Sequence, residues 1–219
     1  MSCSLQLKNI SYTTEDKTLI FKDVNLHIKH RDKIAIVGPN GAGKTTLLKI
    51  ISGLKKPKTG EIYIFDNKIK NDEDFDDVRK KIGFLFQNSD DQFIFPIVKD
   101  DIAFGLFNLG FHKEEVEKKV EYIMYKLEIS HLADKSTFKL SGGEKKLVAL
   151  AGILVCEPEI LLLDEPTTAL DENAINKICN ILKSLDKTLL IVSHNLEFVK
   201  EVTYSQYVLK KEGLYSLKV

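Results

Sequence analysis

The sequence predicts an α/β fold in one compact unit, a largely parallel sheet covered by helices, and three observations carry that prediction. Short, wholly apolar runs at 34–37, 82–86, 160–163 and 189–192 read as strands buried on both faces, as a parallel sheet requires. The first thirty residues alternate instead, in LQLKNISY and LHIKH, which suggests an N-terminal antiparallel portion with one solvated face. Residues 88–139 contain no strand-like run, while 113–127 (KEEVEKKVEYIMYKL) repeats apolar positions at helical spacing, so this stretch is expected to form a helical subdomain.

Each predicted strand leads into polar residues: Gly38 after the first, Gln87 after the second, Asp164 and Glu165 after the third, Ser193 and His194 after the last. In open α/β sheets ligands lie beyond the carboxyl ends of the strands, so these residues should converge on one crevice. Composition excludes other classes. With 43% apolar and 29% charged residues in 219, the chain can bury a core and is neither disordered nor collagen-like. Thirty-two basic residues balance thirty-two acidic ones, so no global field draws it to nucleic acid, and no nucleic-acid partner is expected. The three cysteines, Cys3, Cys156 and Cys179, have no metal-ligand spacing and read as inert thiols of a reducing compartment. The N-terminus lacks a signal pattern, and the longest apolar stretch, 147–156, falls short of the roughly 18 residues a membrane span needs.

Residues 38–45, GPNGAGKT, fit G-x-x-x-x-G-K-[ST] between a strand and a helix. Gly38, Pro39, Asn40, Gly41, Ala42 and Gly43 would wrap backbone N–H groups around phosphate oxygens, with the helix N-terminus beneath them and Thr46 beside it. Lys44 would reach the outer phosphates and Thr45 would ligate magnesium. ILLLDE at 160–165 supplies the complementary half: Asp164 for the hydrated metal and Glu165 to polarise the attacking water, although either carboxylate could cap the next helix. LSGGE at 140–144 also reads as a capping box between Ser141 and Glu144, which leaves the consecutive Gly142 and Gly143 unexplained.

With these three motifs in this order, the chain resembles the ATP-binding cassette (ABC) family of ATPases along essentially its whole length. The resemblance implies a P-loop NTPase cassette with a mixed sheet core, a catalytic core at 1–87 and 146–219, and a helical subdomain at about 88–145. It also implies ATP and Mg2+ as cofactors, and a second cassette facing head to tail, so that Ser141, Gly142 and Gly143 meet the γ-phosphate held by the partner. By the same resemblance Gln87 helps position magnesium and nucleophile, Asp171 lies at the cassette interface, His194 contacts the γ-phosphate, and Tyr12 stacks on adenine. Asp171 could equally be a helix N-cap. Glu144 stands where many members have glutamine, and Leu147 where a positive residue is common.

Residues 84–110 (FLFQNSDDQFIFPIVKDDIAFGLFNLG) resemble most closely the ATPases of energy-coupling factor transporters, importers of vitamins and of cobalt or nickel ions. That implies a peripheral protein at the cytoplasmic face of the membrane, with Asp90 or Asp91 pairing an arginine of a transmembrane coupling subunit and Phe93 and Phe95 lining the adjoining groove. A conventional ABC transporter subunit, or a soluble ABC ATPase acting on nucleic acid or the ribosome, is the alternative.

Overall fold

A computed structural model describes residues 3–217. Among them the chain orders as β1 (Cys3–Thr13), β2 (Leu19–Lys29), β3 (Lys33–Val37), α1 (Lys44–Ile51), β4 (Thr59–Ile64), β5 (Asn67–Ile69), α2 (Asp72–Arg79) and β6 (Ile82–Leu85). The helical stretch follows with α3 (Val98–Asn108) and α4 (Lys113–Lys126), then α5 (Gly142–Leu154), β7 (Ile160–Asp164), α6 (Glu172–Ser184), β8 (Thr188–Val192), α7 (Leu196–Val202), β9 (Ser205–Lys210) and β10 (Gly213–Leu217).

Two sheets result. The first, in the order β2-β1-β4-β5, is antiparallel, as the alternating N-terminal sequence predicts. The second has the order β10-β9-β3-β8-β7-β6; all its neighbours are parallel except the β9–β10 hairpin, whose residues gave no strand signal. β3, β7 and β8 are buried at every position, which is why their sequences run apolar without alternation.

The period-2 geometry of those strands divides the core. Ile34, Ile36, Ile160, Leu162, Leu190 and Val192 face one side, where they pack with α1 and the antiparallel sheet. Ala35, Leu161, Leu163, Leu189 and Ile191 face the other, against α3 to α7. No strand falls within 88–139; an isolated bridge from Ile97 to Ser136 ties its ends. The helix α5 runs across residue 145, so one rigid element carries the signature segment and its C-terminal turns on the core.

No helix among the described residues is long and apolar enough to cross a membrane. Burial pushes the thiols of Cys156 and Cys179 up to about 11, which matches their reading as unreactive. The side chain of Cys3 lies outside the described residues, as do Met1 and Ser2 of the N-terminal segment and Val219 at the other end.

Candidate nucleotide-binding site

At the end of β3 the chain turns through residues 38–43 into α1. Gly38 has φ 149°, and a Cβ there would sit 2.8 Å from the Leu209 carbonyl oxygen, so only glycine lets the loop leave the sheet at this angle. Gly43 is left-handed at φ 91°, and a Cβ would press to 2.5 Å from Ile20 Cγ2. The loop closes with Ala42 N–H donating to the Pro39 carbonyl (3.2 Å). α1 has neither a side-chain cap nor an acidic residue in its first turn, which leaves its positive end free for an anion. The Lys44 ammonium folds back over the loop and donates to the carbonyls of Gly38 (2.8 Å) and Pro39 (3.1 Å).

Parallel pairing of β3, β8, β7 and β6 brings the ends of the other strands alongside. Thr45 Oγ1, at the start of α1, donates to Asp164 Oδ1 at the end of β7 (3.1 Å). Asp164 is buried, and that burial raises its carboxyl above the usual range; the nearby Glu165 charge adds to the rise, while the Thr45 bond opposes it. Glu165 is held at φ 48°, an uncommon conformation for a non-glycine residue, by its N–H bond to Val192 of β8 (2.8 Å). Its Oε2 lies 2.8 Å from His194 Nδ1 and also accepts from the His194 backbone N–H (3.3 Å). The His194 side chain is otherwise 64% exposed at the rim.

A cleft of about 440 Å3 opens among these groups, although Gly38, Pro39, Ala42 and His194 do not line it. Tyr12, Asn40, Gly41, Gly43, Lys44, Thr45, Thr46, Gln87, Asp164 and Glu165 line it, joined by Thr14, Ile20, Lys55 and Val192, which the sequence did not single out. Lys55 Nζ bonds the Tyr12 hydroxyl (3.1 Å) and lies 5.5 Å from its ring centre, while Phe21 packs on the ring at 6.2 Å. A larger groove of about 900 Å3, between α3 and α4 beside Tyr122 and Tyr125, carries none of the phosphate-binding motifs.

The remaining predicted residues do not line the cleft. Ser141 forms the full capping box at the head of α5: its hydroxyl accepts from Glu144 N–H (3.3 Å) and Glu144 Oε2 accepts from Ser141 N–H (2.8 Å). Gly143 has a packing reason, since a Cβ would come 3.2 Å from Ala174 Cβ; at Gly142 the nearest atom stands at 3.7 Å, and no steric demand explains it. Asp171 caps α6 by accepting from Ala174 N–H (2.8 Å). Asp90 already has a cation within the chain, Lys145 of α5 at 2.7 Å, whereas Asp91 accepts from the Asn88 amide (3.1 Å). Phe93 and Phe95 line a small groove with Ile94 and Phe138, both well exposed.

Lys146 also escaped the sequence reading. It is 3% exposed, and its ammonium donates to the carbonyls of Gln87 (2.8 Å) and Phe86 (3.2 Å). Burial draws its pKa down to about 8, against the opposing pull of Asp164 and Glu165. Nothing in the sequence sets it apart from Lys145, its neighbour.

Residues 21–168 match the ABC transporter family. The chain belongs to that family and is an ABC ATPase. It is 39% identical over 214 residues to an energy-coupling factor transporter ATP-binding protein of Methanothermobacter thermautotrophicus, covering 96% of this chain and 69% of the relative. A protein of the same description from Methanocaldococcus jannaschii is 40% identical, with 94% and 75% covered. Among solved structures, cbiO1 of Clostridium perfringens, described as part of the ABC transporter complex cbiONQ, superposes with a TM-score of 0.88 at 34% identity, covering 98% of this cassette and 87% of that chain. A dimeric cassette, MJ0796, in a post-hydrolysis state bound to ADP and Pi, gives 0.87 at 31% identity, with 98% and 99% covered. The expected α/β cassette fold and ATPase activity therefore stand.

Proposed function

We propose that this cassette powers a membrane importer of the energy-coupling factor type, whose cargo is a cobalt or nickel ion or a vitamin such as biotin. The observation that carries the reading is the division of the site. One chain assembles the phosphate cleft yet leaves Ser141, Gly142, Gly143 and Asp171 outside it, an arrangement that fits a head-to-tail pair of cassettes completing each other's sites. Relatives described as energy-coupling factor ATPases support the transporter class. The subunit lies peripherally at the cytoplasmic face of the membrane.

Within the cleft, amides of residues 38–43 and the end of α1 hold the phosphates, and Lys44 exchanges its two loop carbonyls for phosphate oxygens. Tyr12 stacks on the base. Magnesium fits the donor set: Thr45 Oγ1 and Asp164 Oδ1 already converge, Gln87 lines the same cleft, and these are the hard oxygen ligands the ion takes alongside phosphate and water. When bound it neutralises charge on the phosphates. Glu165 accepts a proton from the attacking water as general base, and His194, held through Nδ1, presents the other edge of its ring to the γ-phosphate. The helical subdomain, expected at about 88–145 and joined by the rest of α5 because that helix runs unbroken across residue 145, moves against the catalytic core as the pair closes and reopens.

The membrane partner docks at the groove of Phe93 and Phe95. Because Lys145 holds Asp90, an incoming arginine meets Asp91 first. Co-purification from detergent-extracted membranes tests this. Asp91→Lys should release the transmembrane subunit while ATP binding persists, whereas undiminished co-purification removes this surface from the reading.

A further inference from the structure

The segment that carries Gln87 is tied to α5 three times. Lys145 Nζ pairs with Asp90 (2.7 Å), and Gln92 donates to the Ala149 carbonyl (3.2 Å) while its Oε1 accepts from Phe86 N–H (3.2 Å). The first of these ties is exposed and the second part-buried. The third is buried: Lys146 bonds the carbonyls of Phe86 and Gln87, the two residues that leave β6. A buried ammonium satisfied by backbone carbonyls is a costly anchor, and in an apolar helix a leucine or methionine would pack without that cost.

We infer that Lys146 is a positioning residue, pinning the backbone of Gln87 to the signature helix so that the glutamine's place in the nucleotide cleft is set from α5. The inference rests on the hydrolytic reading above and deepens it. The head of α5 is the signature segment Ser141–Gly143, five residues or fewer from Lys146, within the same rigid helix. Any displacement of the signature segment when a second cassette engages it is therefore delivered to Gln87 through a short, directional contact rather than through the loop. Removing the contact leaves the phosphate loop and Lys44 untouched, so ATP binding persists, while the geometry required at the γ-phosphate is lost.

Steady-state phosphate release by the full chain tests this with Lys146→Met, which matches the lysine in reach without any donor, and Lys146→Gln, which restores an N–H. The Met variant should lose about ten-fold in kcat, the lower end of what outer positioning contacts are worth, with the KM for ATP within about two-fold of the parent. The Gln variant should return to within about three-fold of the parental kcat, a recovery that a merely structural role would not produce. A Met variant whose kcat stays within about two-fold of the parent overturns the inference, as does a folded Gln variant no faster than Met. Should the Met variant not fold, Lys146→Leu, equally without a donor, is read against the Gln variant by the same two outcomes. Lys44→Ala separates the two readings, because loss of phosphate release there upholds hydrolysis at this cleft whatever Lys146 does.

Discussion

At the cleft, Lys44 and Thr45, Gln87, and Asp164 and Glu165 come from three distant stretches of chain and meet because β3, β8, β7 and β6 run parallel and end along one edge of the sheet. At the signature segment, Ser141, Gly142 and Gly143 come from one stretch and meet their own helix, α6 and the residues Ala169 and Leu170 just before it. The first region is assembled by the sheet before any ligand arrives. The second is a finished helix start whose chemistry faces outward. The contrast teaches that satisfied local hydrogen bonds and functional incompleteness coexist: every buried side-chain polar atom among the described residues has a partner, yet Ser141, Gly142 and Gly143, expected at a phosphate, lie outside the cleft.

The sharpest way to break this comparison is at Glu165. Glu165→Gln should lower hydrolysis by about 10²–10⁴-fold, the usual worth of a general base, while ATP binding persists and the closed pair accumulates on size exclusion. Rapid phosphate release by that variant would remove the proton-accepting role. Next comes Lys44→Ala, for which nucleotide titration should show affinity reduced by about ten- to a hundred-fold, the equivalent of one lost hydrogen bond to a charged group.

Ser141 sharpens the contrast because cap and ligand contact can be separated there. Ser141→Ala should cost about 1 kcal/mol of stability through the lost cap, seen as a melting midpoint lower by about 2–4 °C, and should also impair turnover. Ser141→Asp keeps the cap and the midpoint but turns a negative charge toward the partner's phosphate, so turnover should still fail. Full activity in the Asp variant would show that this segment never faces a phosphate.

The smallest effect concerns Asp101, whose Oδ1 accepts from Ile94 N–H (2.7 Å) and Phe95 N–H (2.9 Å) and so shapes the Phe93 groove. Burial raises its carboxyl above the ordinary value, with those two bonds opposing. A raised carboxyl binds its proton more tightly when folded, so its favourable contribution is present below the unfolded value of 3.8 and lost as pH rises through the folded one. Asp101→Asn keeps both acceptor bonds and removes the charge. Urea unfolding should find it more stable than the parent at pH 7 by less than about 1 kcal/mol, with the gap closing toward pH 4. A gap that widens on acidification would contradict the direction of the shift.

The parallel strands were legible because strands covered on both faces must be apolar throughout, as the short runs ILLL and LLIV are. The phosphate loop was legible because its glycines answer to backbone demands, a carbonyl 2.8 Å from any Cβ at position 38 among them. The helix starts were only half legible. Ser141 and Asp171 suit both a cap and a partner's nucleotide, and in the fold both residues cap. Lys146 was hidden for the opposite reason, since nothing in the order of residues says that a lysine at 146 turns inward to carbonyls sixty positions earlier. The β9–β10 hairpin was missed because SQYVLK mixes polar with apolar residues: its Ser205 and Lys210 are exposed, and only Gln206 and Leu209 are fully buried.

The Ser141 hydroxyl has two lone pairs and one hydrogen, and the cap consumes a single lone pair. Its proton stays unspent. The atom that keeps the first turn of α5 from fraying can thus give that hydrogen to an oxygen brought from outside, with no bond broken and no helix unwound to accept the newcomer.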